Sequence, residues 1–226
     1  MPYYYYGFDP TYFLVIIGAV ICMIASARVK STYNKYSQYR SASGMTGAQA
    51  AQRILNSAGI YDVTIQHVSG NLTDHYNPAN KTVNLSEGVY NSNSIMAAAV
   101  AAHECGHAVQ HARAYAPLTM RSKLVPVVSF ASNIMTWVLL AGILMLNSFP
   151  QLLLAGIILF AMTTLFSFIT LPVEINASKR ALVWLSNSGI TNSYNHAQAE
   201  DALRSAAYTY VVAALGSLAT LIYYIM

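Results

Sequence analysis

Charge is what this chain has least of. Only 9% of its 226 residues are Asp, Glu, Lys or Arg, against roughly 25% in soluble domains, and 55% are hydrophobic. That shortage excludes an ordinary water-facing surface and points to a membrane protein. Cysteine is nearly absent as well. Cys22 lies in an apolar stretch and Cys105 in a histidine-bearing one, so a disulfide is excluded and a reduced, cytoplasmic face is indicated. No Lys or Arg precedes Arg28, which removes the positively charged start that a cleaved secretory signal requires. The net charge of +4 has no basic stripe behind it, so a nucleic-acid partner is excluded. No internal repeat is present.

What is abundant is apolar sequence in blocks, at 12–27, 124–146, 152–171 and 206–226. Three approach or exceed the roughly 20 residues that cross a bilayer. The first is shorter, and the Tyr3–Tyr6 run ahead of it supplies an aromatic interfacial belt. Every Lys and Arg lies between Arg28 and Lys123 or between Lys179 and Arg204. Under the positive-inside rule both basic segments are cytoplasmic, and four crossings then leave both termini outside.

Between the first and second blocks the pattern becomes that of a folded domain. Ser31 to Gly44 reads as a polar linker at the headgroups. Thr46-Gly-Ala-Gln49 has capping-box spacing and opens an amphipathic helix that Gly59 stops. From Asp62 to Ser86 the period changes to two, with turn chemistry at Gly70-Asn71 and at Asn77-Pro-Ala-Asn80. Three short antiparallel strands are expected, near 62–68, 71–76 and 82–86.

The chemistry is concentrated in an alanine-rich stretch that reads as helix, with Ser92, Asn93 or Ser94 as its N-cap. His103 and His107 are four residues apart, so both imidazoles leave one helix face within reach of a single ion, and Glu104 stands beside the first. His-Glu-x-x-His is a zinc-hydrolase signature: two neutral imidazoles suit Zn²⁺, and the adjacent carboxylate can take a proton from metal-bound water. A plain core helix does not account for Glu104, because burying that carboxylate unpaired costs several kcal/mol.

Two histidines do not complete a catalytic site, which ordinarily has three protein ligands and an open position. Glu174 stands just past the third apolar block, on the same side as His103 by the topology above, where Pro172 can open a fresh helical turn. His111 is about 12 Å along the helix axis from His103, too far to share an ion. His75 and His196 lack a spacing partner, and Asp201 beside Glu200 reads as solvated charge. Glu174 is the expected third ligand.

These residues resemble the YugP-like, membrane-bound neutral zinc metallopeptidases of bacteria. The resemblance runs nearly end to end through Leu72-Thr-Asp74-His75-Tyr76-Asn-Pro78, His103-Glu-Cys-Gly-His107-Ala-Val-Gln-His111, Leu118-Thr-Met-Arg121-Ser, Pro172-Val-Glu174-Ile-Asn-Ala-Ser178 and Tyr208-Thr-Tyr210-Val. It implies a gluzincin-like site with one catalytic Zn²⁺, His103, His107 and Glu174 as ligands and Glu104 as base. Two positions depart from the family pattern. Asn176 stands where an acid is expected, and Ser178 where soluble gluzincins carry the aspartate that orients a ligand histidine, leaving Ser178, Asp74 or a backbone carbonyl as that acceptor.

The expected fold is a mainly α membrane protein, with four transmembrane helices and a small α+β zincin-like domain on the cytoplasmic side. That domain comprises a helix, a three-stranded antiparallel sheet and the metal helix. Segments 1–30, 124–171 and 206–226 are membrane-embedded, 31–123 carries the zincin-like domain and 172–205 the third ligand. His75, Tyr76 and His196 are candidate oxyanion donors. Substrate backbone is expected to add to Thr82, Val83, Asn84 and Leu85 as an edge strand. Expected substrates are membrane proteins, their juxtamembrane tails or peptides on the bilayer of a bacterial cell. The alternatives are a non-catalytic membrane scaffold with a structural metal site, and an ion pathway. The latter is disfavoured because the spans lack charged side chains.

Overall fold

The computed structural model describes residues 12–226, so the Tyr3–Tyr6 belt and the placement of the N-terminus lie outside the described residues. The chain forms α1 (Tyr12–Tyr36), α2 (Gly47–Ser57), β1 (Thr64–Val68), β2 (His75–Asn77), β3 (Thr82–Ser86), α3 (Glu87–Tyr90), α4 (Ile95–Ala112), α5 (Ala116–Leu144), α6 (Pro150–Asn187) and α7 (His196–Ile225). Four of these helices, α1, α5, α6 and α7, are long and apolar enough to cross a membrane. Each extends beyond its apolar block: α1 runs on to Tyr36, α5 starts at Ala116, α6 continues to Asn187 and α7 starts at His196. Pro172 does not begin a new helix but sits inside α6. The polar extensions therefore form part of the folded region around α4.

The local signals act as their chemistry dictates. Thr46 Oγ1 accepts from the Gln49 amide at 3.3 Å and Gln49 Oε1 accepts from the Thr46 amide at 3.0 Å, a reciprocal cap on α2. Ser94 is the cap of α4, its Oγ accepting from the Ala97 amide at 3.1 Å. Asp201 is not simply solvated: it accepts from the Tyr36 hydroxyl at 2.9 Å, tying α7 to α1.

The sheet differs from expectation. It is mixed, in the order β1-β3-β2, with β1 parallel and β2 antiparallel to β3. Only the second turn makes a hairpin. The first becomes a loop, with Gly70 at φ +106 and Leu72 at φ +58, that carries the chain across to the far side of β3. Asp74 holds it there by accepting from the Ser86 amide at 2.7 Å and the Ser86 hydroxyl at 2.9 Å. Turn residues mark where a chain bends; which edge the next strand takes depends on such contacts.

As a result β3 is the central strand, paired on both sides and buried along its whole length. Thr82, Val83, Asn84 and Leu85 therefore cannot receive a substrate strand, because their backbone groups are engaged by β1 and β2. The buried polar side chains satisfy one another, with Asn84 Nδ2 donating to Thr82 Oγ1 at 2.9 Å.

The core forms around α4. Between Ile95 and Gln110 only Val100 and His103 are partly open. Ile54 and Leu55 of α2, Val83 and Leu85 of β3, and Ala181 and Leu185 of α6 pack on it, fully buried. Alanine and glycine let the backbones approach closely. A Cβ on Gly106 would lie 2.9 Å from the carbonyl oxygen of Ala177 and 3.0 Å from its Cα, so α4 and α6 touch there with nothing larger than the Ala177 methyl between them. Gly106→Val should destabilise the protein by about 1–3 kcal/mol through overpacking and weaken metal retention. Thermal unfolding in detergent and zinc content measured on the same sample would check this.

Candidate metal centre

The contact between Gly106 and Ala177 sets the site, because His103 and His107 flank it on α4 and Glu174 and Ser178 flank it on α6. Glu174 Oε2 lies 3.1 Å from His103 Nε2 and 3.4 Å from His107 Nε2. One donor atom from each of the three residues falls within 4.8 Å of the others. Glu174 is only 2% exposed, an unlikely place for a carboxylate unless cationic or metal partners meet it.

The outer nitrogens of both imidazoles are occupied, which tests whether the inner ones fit a metal. Gln110 is fully buried, and its amide nitrogen donates to the carbonyl of Val173 at 2.9 Å and to Asn176 Oδ1 at 3.1 Å. With both amide hydrogens engaged, Gln110 Oε1 is left to accept from His107 Nδ1 at 3.0 Å. That proton fixes the tautomer and directs the Nε2 lone pair at Glu174. Asn176 Oδ1 also accepts from Arg180 Nε at 2.7 Å, so the amide at this position works as an acceptor. On the other ring, His103 Nδ1 meets Ser178 Oγ at 3.1 Å. Asp74 does not serve there; its oxygens are held by Ser86. Two neutral imidazole nitrogens and one carboxylate oxygen, each oriented from behind, suit Zn²⁺.

Two residues that carried no expected role reach the site. Arg121 of α5 places Nη1 3.3 Å from Glu174 Oε1, the oxygen that does not face the histidines. Tyr210, on α7, lines a cavity together with Glu174. Both lie in segments whose family resemblance was legible, but neither sits at a fixed spacing from the motif. Gln110 had a local signal, standing three residues after His107 on the same helix.

These groups open on a cavity of about 360 Å³, lined by His103, Glu104, His107, Arg121, Glu174 and Tyr210, with Asp74, His75 and Tyr76 on its β2 side. Glu104 is 8% exposed and makes no hydrogen bond or ion pair with the described residues. Tyr76 donates to or accepts from His111 Nδ1 at 2.7 Å, and burial pushes its phenol up to about 12, so it stays protonated. His75 is exposed, with Nδ1 2.8 Å from the carbonyl of Thr73. His196 is not brought to the site; it pairs with Thr191 Oγ1 at 2.9 Å at the start of α7. Cys105 is fully buried, which pushes its thiol well above its ordinary range and leaves it a packing residue.

A family described as "Putative neutral zinc metallopeptidase" matches residues 11–226. The chain belongs to this family. The match spans all the elements that build the metal centre. Among curated relatives, "Putative membrane protease YugP" of Bacillus subtilis (strain 168) is 44% identical over 214 residues, covering 95% of this chain and 94% of that protein. No solved structure matches. Membership in the neutral zinc metallopeptidase family implies Zn²⁺, and His103, His107 and Glu174 are the group that can hold it.

Because Gln110 orients His107 from behind, Gln110→Leu should lower zinc affinity by about 10–100-fold, read by competition with a chromophoric chelator. Asn176→Asp keeps an acceptor for both Gln110 and Arg180 and should leave the affinity close to that of the unmodified protein in the same titration.

Proposed function

We propose that this chain is a multi-pass membrane zinc endopeptidase in which Glu104 is the general base. The observation that carries the reading is the meeting of His103, His107 and Glu174 from two helices beside a cavity that Glu104 also lines. His103, His107 and Glu174 would hold Zn²⁺, which when bound would supply acidification of a water and polarisation of the scissile carbonyl. Glu104 would take the proton from the attacking water as the water oxygen bonds to the carbonyl carbon, and return it to the amine when the C–N bond breaks, giving a carboxylate and a free amine. Its carboxylate is free for this task because no donor among the described residues holds it.

The residues around it have separable roles. Arg121 holds Glu174 Oε1 and leaves Oε2 for the metal, and Ser178 and Gln110 hold the two imidazoles. Of the donors lining the cavity, Tyr210 is proposed to hydrogen-bond the developing oxyanion, with His75 and Tyr76 on the opposite wall. Substrate backbone is proposed to pair with β2, since β2 has β3 as its sheet neighbour on one side alone and contributes His75 and Tyr76 to the cavity wall.

A purely structural metal site would close the coordination with a fourth protein ligand. The group among the described residues has three, which favours catalysis. The distribution of Lys and Arg supports placing the site at the cytoplasmic face of a bacterial membrane, with membrane proteins, their juxtamembrane tails or bilayer-bound peptides as substrates.

Glu104→Gln should retain zinc and lose about 10²–10⁴-fold in kcat, the range expected for removal of a general base. Zinc content and cleavage of casein by the purified proteins would decide it: full activity in the metal-loaded variant would overturn the assignment of Glu104. Arg121→Met should lower both zinc affinity and kcat, whereas Arg121→Lys should restore part of each, measured by the same two assays.

A further inference from the structure

A second cavity of about 190 Å³ lies between α1, α4 and α7, and it shares Asp74, His103, Glu104 and Tyr210 with the cavity described above. The pair His103 and Glu104 thus stands between two spaces of different character. The first carries Arg121, Glu174 and the β2 residues. The second is walled by Val29 and Tyr33 of α1, Val100 of α4, and Ala206 and Ala207 of α7. On the buried stretch of α4, Val100 and His103 are the two partly open positions, and both face this second space.

Most of its wall is apolar, and two of its polar groups are already engaged. Ser178 meets His103, and Asp74 accepts twice from Ser86. A charged or amide side chain entering there would lose water and find only Glu104 and the phenols of Tyr33 and Tyr210 as partners along a largely apolar wall, whereas an apolar one would lose nothing. Ala202, Ala206 and Ala207 contribute only methyl groups to its wall, so the space suits one unbranched or γ-branched aliphatic side chain.

The cavity also lies where two helices leave their apolar blocks. Val29 and Tyr33 follow the block that ends at residue 27, and Ala206 and Ala207 begin the block 206–226. Whatever fills the space is therefore presented at the depth at which α1 and α7 turn from apolar to polar.

We propose that this cavity is the specificity subsite of the peptidase, receiving a leucine- or methionine-sized apolar side chain from a residue flanking the scissile bond. The substrate class is then an extended membrane-protein segment cut where it emerges from the apolar layer, rather than a soluble polar peptide. The inference rests on the peptidase reading above and deepens it.

The test uses the full chain, zinc-loaded, in nanodiscs, with quenched juxtamembrane peptides carrying Leu, Ala or Lys at the residues on either side of the cleaved bond, which mass spectrometry locates. The unmodified protein should cleave the Leu peptide at least about tenfold faster than the Ala or Lys peptide in kcat/KM, within the range a hydrophobic pocket can supply. Ala207→Leu, which fills the cavity, should reduce the Leu-over-Ala ratio by about tenfold or more at unchanged zinc content. Val100→Ala, which enlarges it, should move the preference toward Phe, and keeps the test usable if the first variant does not fold. Binding of the same peptides to zinc-loaded Glu104→Gln protein, followed by fluorescence anisotropy, reads the subsite without catalysis. A Leu preference in binding with no cleavage by the unmodified protein would uphold the subsite and refute the peptidase reading. Equal handling of Leu, Ala and Lys peptides, a preference for Lys, or a ratio that neither cavity variant moves would refute the subsite.

Discussion

The structure depends on two helices touching with nothing larger than the Ala177 methyl between them. At Gly106 and Ala177 the backbones of α4 and α6 come close enough that even one added methyl group would collide. That contact carries the metal centre, because the imidazoles lie one turn apart on one helix and their carboxylate partner arrives on another. A shift of one side-chain width would separate Glu174 Oε2 from the two Nε2 atoms that it now meets at 3.1 and 3.4 Å. The alanines along α4 serve the same end. They add little packing volume of their own but let α2, β3, α6 and α7 close on the helix from several directions.

Around that contact, every ligand atom is backed by a second group. Gln110 and Ser178 hold the histidines, while Arg121 holds the far oxygen of Glu174. Buried polar groups are costly unless fully partnered. The chain from Arg180 through Asn176 and Gln110 to His107 leaves the amide of Gln110 no unused donor. The arrangement orients lone pairs in advance, so a metal arriving there meets ligands that need not reorganise. The long helices make this possible in a chain with few soluble residues. α5 and α6 extend out of their apolar blocks and deliver Arg121 and Glu174 to the site, and α7 brings Tyr210 there from within its own block, without needing a separate domain.

Local chemistry was legible in the sequence, and distant pairing was not. The apolar blocks, the caps at Thr46 and Ser94, the position of each turn and the spacing of His103, Glu104 and His107 follow from composition windows and the 3.6-residue helical period, in which each residue answers to neighbours a few positions away. Even Glu174 could be reached, because an acid at the end of an apolar block demands a partner and few were available. Tertiary packing alone decided that β1 lies parallel to β3, that β3 is enclosed and β2 borders the cavity, and that Asp74 binds Ser86 while Ser178 and Gln110 take the imidazoles. It also decided that Arg121 reaches the Glu174 carboxylate and that Tyr210 lines the same cavity. Those outcomes join residues tens of positions apart, and the sequence holds no period or spacing that encodes them; they are set by which surfaces close on α4 and how nearly its small residues let them approach.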